Sequence, residues 1–188
     1  VGAGSSVAIA VHDGQQAGYA FVGSGGAHAI LWNGTAASWV DLHPAGAGYS
    51  LALGVHGGQQ VGYASIDGVV HGGLWSGTAG SFVDLNPAGA YASEAHGVWA
   101  GQQVGWIAIG GVGRASLWNG SAESWVDLHA VVAADYIRTE ANAILREGQF
   151  TYVVGQGHNR TTNRTEALKW ILRRCPADID ADGFITGD

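Results

Sequence analysis

Gly58-Gln59-Gln60-Val61-Gly62-Tyr63-Ala64, Asp67-Gly68, Val69 to Trp75, Ser76-Gly77 and Ser81-Phe82-Val83-Asp84-Leu85 follow one another within a single short stretch, and their reading decides the fold. Gln60 to Ala64 alternates with period two, and Asp-Gly is a hairpin turn signal. Val69 to Trp75 then reads as the next strand, Ser76-Gly77 as a second tight turn, and Ser81 to Leu85 as a further strand. Just upstream, Leu51-Ala52-Leu53-Gly54-Val55 is a small-residue apolar run that ends at Gly57-Gly58. Four short antiparallel strands therefore lie in one unit. The loop Asn86 to Tyr91, with Pro87 and Gly89, leads onward.

The unit recurs. Trp32, Trp75 and Trp118 follow each other at intervals of 43, as do Asp41, Asp84 and Asp127. Gly14-Gln15-Gln16, Gly58-Gln59-Gln60 and Gly101-Gln102-Gln103 keep nearly the same step. A divergent fourth copy runs from Glu140 through Gly148-Gln149 to Trp170, with an insertion around Asn159 to Thr165. The expected layout is repeats at about 1–46, 47–89, 90–135 and 136–172, forming one body over 1–172, and a tail over 173–188. The first three copies contain no helix-length stretch of period 3.6 with caps. Four-stranded units of about 43 residues are the pattern of propeller blades. The fold expected is all-β, a four-bladed β-propeller. The alternatives are half of a larger propeller and an open β-solenoid. Trp32, Trp75, Trp118 and Trp170 form the blade-core signature, bulky enough to fill the space between blades.

Composition narrows the function. The 188 residues are 47% apolar and only 12% charged, with eight Trp, which excludes disorder. The 32 glycines follow no G-x-y period, which excludes collagen. No apolar run reaches the roughly 18 residues of a membrane span. Net charge is −7, and Val1 to Gly113 contain no Lys or Arg, so no nucleic-acid groove is expected there. The chain starts at Val1 and shows no charged segment leading into an apolar one. It reads as a mature, processed or excised segment. The lone Cys175 permits no internal disulfide and reads as an interchain disulfide or a buried thiol.

Ala27-His28-Ala29-Ile30-Leu31-Trp32-Asn33-Gly34 resembles the His-Ala-Phe-x-Trp core of the probable extracellular repeats called the HAF family. Ala8-Ile9-Ala10-Val11 and Gly18-Tyr19-Ala20 fit the same layout. His28 returns as His71 and then as Arg114 and Glu166, and Ile30 stands in place of the Phe. The resemblance implies a secreted bacterial protein, propeller-like, with no assigned chemistry.

Asp178, Asp180, Asp182, Phe184 and Thr186 occupy positions 1, 3, 5, 7 and 9 of a calcium loop, with Gly183 at the bend. This resembles a dockerin or EF-hand loop, and Cys175-Pro176-Ala177 resembles the lead-in to such loops. The sequence ends at position 11, so Asp188 or the terminal carboxylate would replace the usual bidentate acid. Calcium is the one cofactor expected, and a solvated acidic tail is the competing reading. After Trp170 the window that should hold an outer strand contains Pro176 and Asp178, poor strand residues. The last blade is therefore expected to lack a good outer strand, and an open edge invites another chain.

Catalysis is not expected. There is no G-x-S-x-G elbow, and Ser5, Ser50 and Ser93 read as parts of inter-unit loops. Repeat position accounts for the histidines His12 with His56, His28 with His71, and His43 with His129. It also accounts for Asp41, Asp84 and Asp127, which read as backbone-bonding residues. Gln16, Gln60 and Gln103 either bond their turns or, with Tyr19, Tyr63 and Trp106, line a sugar-binding surface. The function expected is a non-enzymatic extracellular scaffold. It assembles through its last blade and acidic tail with copies of itself or a cell-surface partner, as the subunit of a polymer or filament. The alternative is a carbohydrate- or surface-binding module of a larger secreted protein.

Overall fold

The computed structural model describes residues 3–173. It is all-β, with four separate antiparallel sheets, each drawn from one sequence unit. The first holds β1 (Ala3–His12), β2 (Gln15–Val22), β3 (Ala27–Asn33) and β4 (Val40–Asp41). The second holds β5 (Ser50–His56), β6 (Gln59–Ile66), β7 (Val69–Trp75) and β8 (Val83–Asp84). The third holds β9 (Ala92–Trp99), β10 (Gln102–Ile109), β11 (Val112–Trp118) and β12 (Val126–Asp127). The fourth has three strands among the described residues, β13 (Tyr136–Glu147), β14 (Phe150–Asn159) and β15 (Thr165–Arg173). Every sheet is a simple meander in chain order.

The two-residue turns behave as their sequences require. Asp13 and Gly14, and Asp67 and Gly68, all take positive φ, the conformation of the hairpin turns that fit strand twist. The fourth strands are shorter than the sequence suggests. Of the expected 81–85 strand only Val83–Asp84 pairs, beside Leu74 and Gly73. The preceding residues form a 3-10 turn, Ala79–Ser81, repeated as Ala36–Ser38 and Ala122–Ser124. A serine at the end of each turn explains this. Ser81 Oγ donates to Thr78 O at 2.6 Å and accepts from Ser76 N at 2.8 Å. That local bonding competes with the ladder.

Each inner strand carries a register irregularity, at Ala8/Ala10, Ala52/Gly54, and Ala141/Ala143, and in β9 opposite Val104/Gly105. Across from each lies a glycine: Gly18, Gly62, Gly105 and Gly155. A Cβ there would overlap the carbonyl oxygen of Val7, Leu51, Glu94 or Glu140 respectively. The bulge draws the two backbones together, and only glycine fits.

The sheets stack face to face in chain order: first on second, second on third, third on fourth. Among the described residues the first and fourth sheets do not pack on one another as successive sheets do. The inner strands β1, β5, β9 and β13 run along one side of the stack and each packs on the next. His12, His56 and Trp99 stand at equivalent strand ends, and rings from the first and third sheets come within 6.0 Å of each other. The stack therefore bends around its inner strands. Three apolar clusters fill the three spaces between sheets.

Candidate functional site

The three inter-sheet contacts are built alike, and their pattern identifies the surfaces left open. Trp75 packs into Ala17, Ala29, Leu31 and Leu42 of the preceding sheet, beside its own Val55. Trp118 packs into Val61, Leu74 and Leu85, beside Val98. Trp170 packs into Val104, Leu117 and Leu128, beside Ile144, and its Nε1 donates to Leu128 O at 3.0 Å. A hydroxyl pins each contact. Ser50 Oγ accepts from Ala29 N at 2.9 Å, Ser93 Oγ from Gly72 N at 2.8 Å, and Thr139 Oγ1 from Ala115 N at 2.9 Å. Ser50 and Ser93 thus lie inside strands β5 and β9, not in loops, and Ser5 lies in β1. Ser50 and Ser93 are buried because each satisfies a backbone N–H of the neighbouring sheet. Their spacing, close to the repeat length, was the available signal. What it meant depended on which sheet stood opposite.

Among the described residues the first sheet has no preceding neighbour. Trp32, which occupies the Trp75 position, is half-buried, and Val11 is 71% exposed where Val55 is 7% and Val98 6%. Ser6 pairs with Ala20 as Ser50 pairs with Ala64; it is exposed. The fourth sheet likewise has no following neighbour among the described residues. Val154 is 44% exposed where Ala17, Val61 and Val104 are fully buried, and Ile171 is 55% exposed. Ala167 and Lys169 are also exposed, at positions where the earlier units bury Ala29 and Leu31. The two ends are the two halves of one recurring contact.

The expected sugar surface divides. Tyr19, Tyr63 and Trp106 occupy equivalent strand positions and are partly exposed. Gln60 and Gln103 are fully buried. Each clamps two turns: Gln103 Nε2 donates to Gly101 O at 2.7 Å, and Gly120 N donates to Gln103 Oε1 at 2.8 Å. Gln60 bonds Gly58 O and Gly77 N in the same way, and Gln16 bonds Gly14 O and Gly34 N. The glutamines hold turns and present no amide row to solvent.

The histidines and acids also have structural partners. Asp41 and Asp84 each hold the ring of a repeat-equivalent His, His28 at 2.8 Å and His71 at 2.7 Å. In the third sheet Arg114 takes that place and donates to Asp127 at 2.6 Å. His43 stacks on His28 with ring centroids 3.9 Å apart. Burial, followed by the nearby His28 charge, holds the His43 pKa below its ordinary value. Burial also lowers His129, with the Arg114 and Arg160 charges adding to the effect and Asp127 opposing it. His96 differs. Burial pulls it down, but the Glu94 hydrogen bond and the Glu140 and Glu94 charges outweigh burial and raise it.

Among the described residues no group of three or more His, Cys, Asp or Glu is arranged to hold a metal ion. The calcium loop expected at Asp178, Asp180, Asp182, Phe184, Thr186 and Asp188 lies outside the described residues, as does Cys175. Among the described residues no helix is long and apolar enough to cross a membrane. No protein-family model, curated protein or solved structure matches the chain. The likeness to HAF repeats therefore rests on the motif residues alone.

Proposed function

We propose that this chain is a non-enzymatic structural protein that assembles head to tail with copies of itself. The first sheet of one copy takes, on the fourth sheet of the next, the place that each internal sheet takes on its predecessor. The observation that carries this reading is the exposure of both halves of a contact already made three times within the chain. The architecture that suits it is an open arc of four propeller-like units, half of a larger ring or a turn of a filament. A heterologous contact of this kind closes into a ring or runs on as a fibre.

Charge supports the orientation. The first sheet has no Lys or Arg and exposes Asp13 at a turn, whereas the fourth unit carries Arg146, Arg160, Arg164, Lys169 and Arg173 against Glu140, Glu147 and Glu166. Head-to-tail contact brings unlike ends together, and tail-to-tail contact is repelled. Lys169 stands where a leucine stands in the other units. Its Nζ lies 5.9 Å from the Tyr152 ring centroid, and a docked Trp32 would offer it a second aromatic face. Secretion belongs to the same proposal and rests on the HAF resemblance. So does calcium at the tail, which rests on the loop spacing. Sedimentation velocity across a concentration series, with calcium and with EDTA, tests the assembly. Concentration-dependent oligomers that Val11→Arg abolishes are expected. A chain that stays monomeric at every concentration, with and without calcium, overturns the reading.

A further inference from the structure

A cleft of about 660 Å³ opens between the third and fourth sheets. We propose that it binds an acidic saccharide, a chain of hexose rings bearing carboxylates. This does not depend on the end-to-end contact, which uses other faces.

Small residues line both walls of the cleft, and the fourth unit departs from the others. Gly111 and Gly113 on the β10–β11 hairpin and Gly157 on β14 contribute no side-chain bulk. The 129–135 link forms a 3-10 turn, Ala130–Val132, in place of the Pro-Gly loops of the earlier units. The rim is braced. Glu166 accepts from Tyr136 Oη at 2.9 Å, Asn159 Nδ2 at 3.0 Å and Thr162 Oγ1 at 2.7 Å, which holds the inserted loop against β13. The site is thus pre-formed, as saccharide sites need to be when each contact is weak.

The lining matches the chemistry of a sugar chain. Trp106 supplies a partly exposed indole, suited to the C–H face of a pyranose. Its indole N–H makes no hydrogen bond among the described residues and remains to donate to a hydroxyl. Gln156 and Glu140 sit side by side, with Gln156 Nε2 donating to Glu140 Oε2 at 3.2 Å. The pair offers both donor and acceptor to vicinal hydroxyls. His96 Nδ1 lies 3.4 Å from Glu140 Oε1 and offers that carboxylate a cation when the ring is protonated. Arg138 also lines the cleft, is exposed, and forms no ion pair among the described residues. A guanidinium in that state matches a carboxylate in bidentate fashion. The equivalent space between the first and second sheets is narrowed: there Gly26 lies close to Gly48 O and Tyr49.

Calorimetric titration of the full chain with tetragalacturonate, and separately with cellotetraose, tests this. The acidic tetramer is expected to bind. Arg138→Ala, a solvent-exposed change that should leave the fold intact, is expected to weaken that binding by about tenfold or more, the loss of a charged hydrogen-bond pair. Trp106→Ala should weaken it comparably, with unfolding curves recorded alongside to show that the variant is folded. No heat from either sugar overturns the proposal. So does acidic-sugar binding that both folded variants retain, and so does cellotetraose binding as tightly as the acidic chain.

Discussion

Trp118 and Trp32 occupy one position in two repeats, so replacing each with alanine isolates what a neighbouring sheet contributes. Trp118 is fully buried among Val61, Leu74, Leu85, Ala95, Val98 and Ile107. Its Nε1 has no hydrogen-bond partner among the described residues, so Trp118→Ala costs packing and transfer energy and no hydrogen bond. A buried Trp→Ala change costs about 3–5 kcal/mol, because the cavity collapses only partly. Trp32 is half-buried at the open first face. Its removal should cost about 1 kcal/mol in the isolated chain, a value closer to surface substitutions. Urea unfolding followed by far-UV circular dichroism, in protein dilute enough to be monomeric, measures both. Trp118→Ala should shift the midpoint far more than Trp32→Ala, or break the transition in two, since it severs the middle of a stack whose units pack mainly on their neighbours. Equal losses in the monomer would refute the reasoning. They would mean that Trp32 is buried in solution by the fourth sheet and that the four units close on themselves.

Three further outcomes follow from the same geometry. Gly62→Ala places a methyl group on the carbonyl oxygen of Leu51, and should cost about 3 kcal/mol as the bulge and the strand move apart; thermal melting against Gly80→Ala, where a Cβ meets open space, provides the control. Gln103→Ala removes two part-buried turn bonds and leaves Gly101 O and Gly120 N without them, and should cost about 1–3 kcal/mol by urea titration. His96 has a raised pKa, so its protonation stabilises the fold at pH below its unfolded value of about 6.5, and that contribution is lost as pH rises through the higher folded value. His129 and His43 are lowered and act in the opposite sense, their contribution disappearing as pH falls through their folded values. Stability measured from pH 5 to 8 should therefore lose its alkaline-side decline in His96→Gln and keep its acid-side decline; an unchanged alkaline side would refute the assignment.

The repeat period, the strand content and the tight turns were legible along the chain, because they arise from local chemistry. Alternation sets which side chains share a face, and Asp-Gly or Asn-Gly allows the turn without strain. The third strand, Val69 to Trp75, could be bounded to the residue in this way. The turn-holding glutamines were legible as one of two readings, since a side chain two residues from a glycine turn can reach its carbonyl. Other features needed the neighbouring sheet. Ser50 reads as a loop residue until the backbone N–H of Ala29 is placed against it. Gly62 reads as one small residue among many until the bulged strand leaves no room for a Cβ. The cleft beside Trp106 forms only because residues far apart in sequence, Gly113 and Gly157 among them, meet across two sheets. Identical tryptophans likewise end up in different surroundings: Trp118 is sealed and Trp32 is open, though their local sequences nearly coincide. Burial depends on what stands opposite, and the order in which units stack is a property of the whole chain rather than of any one repeat.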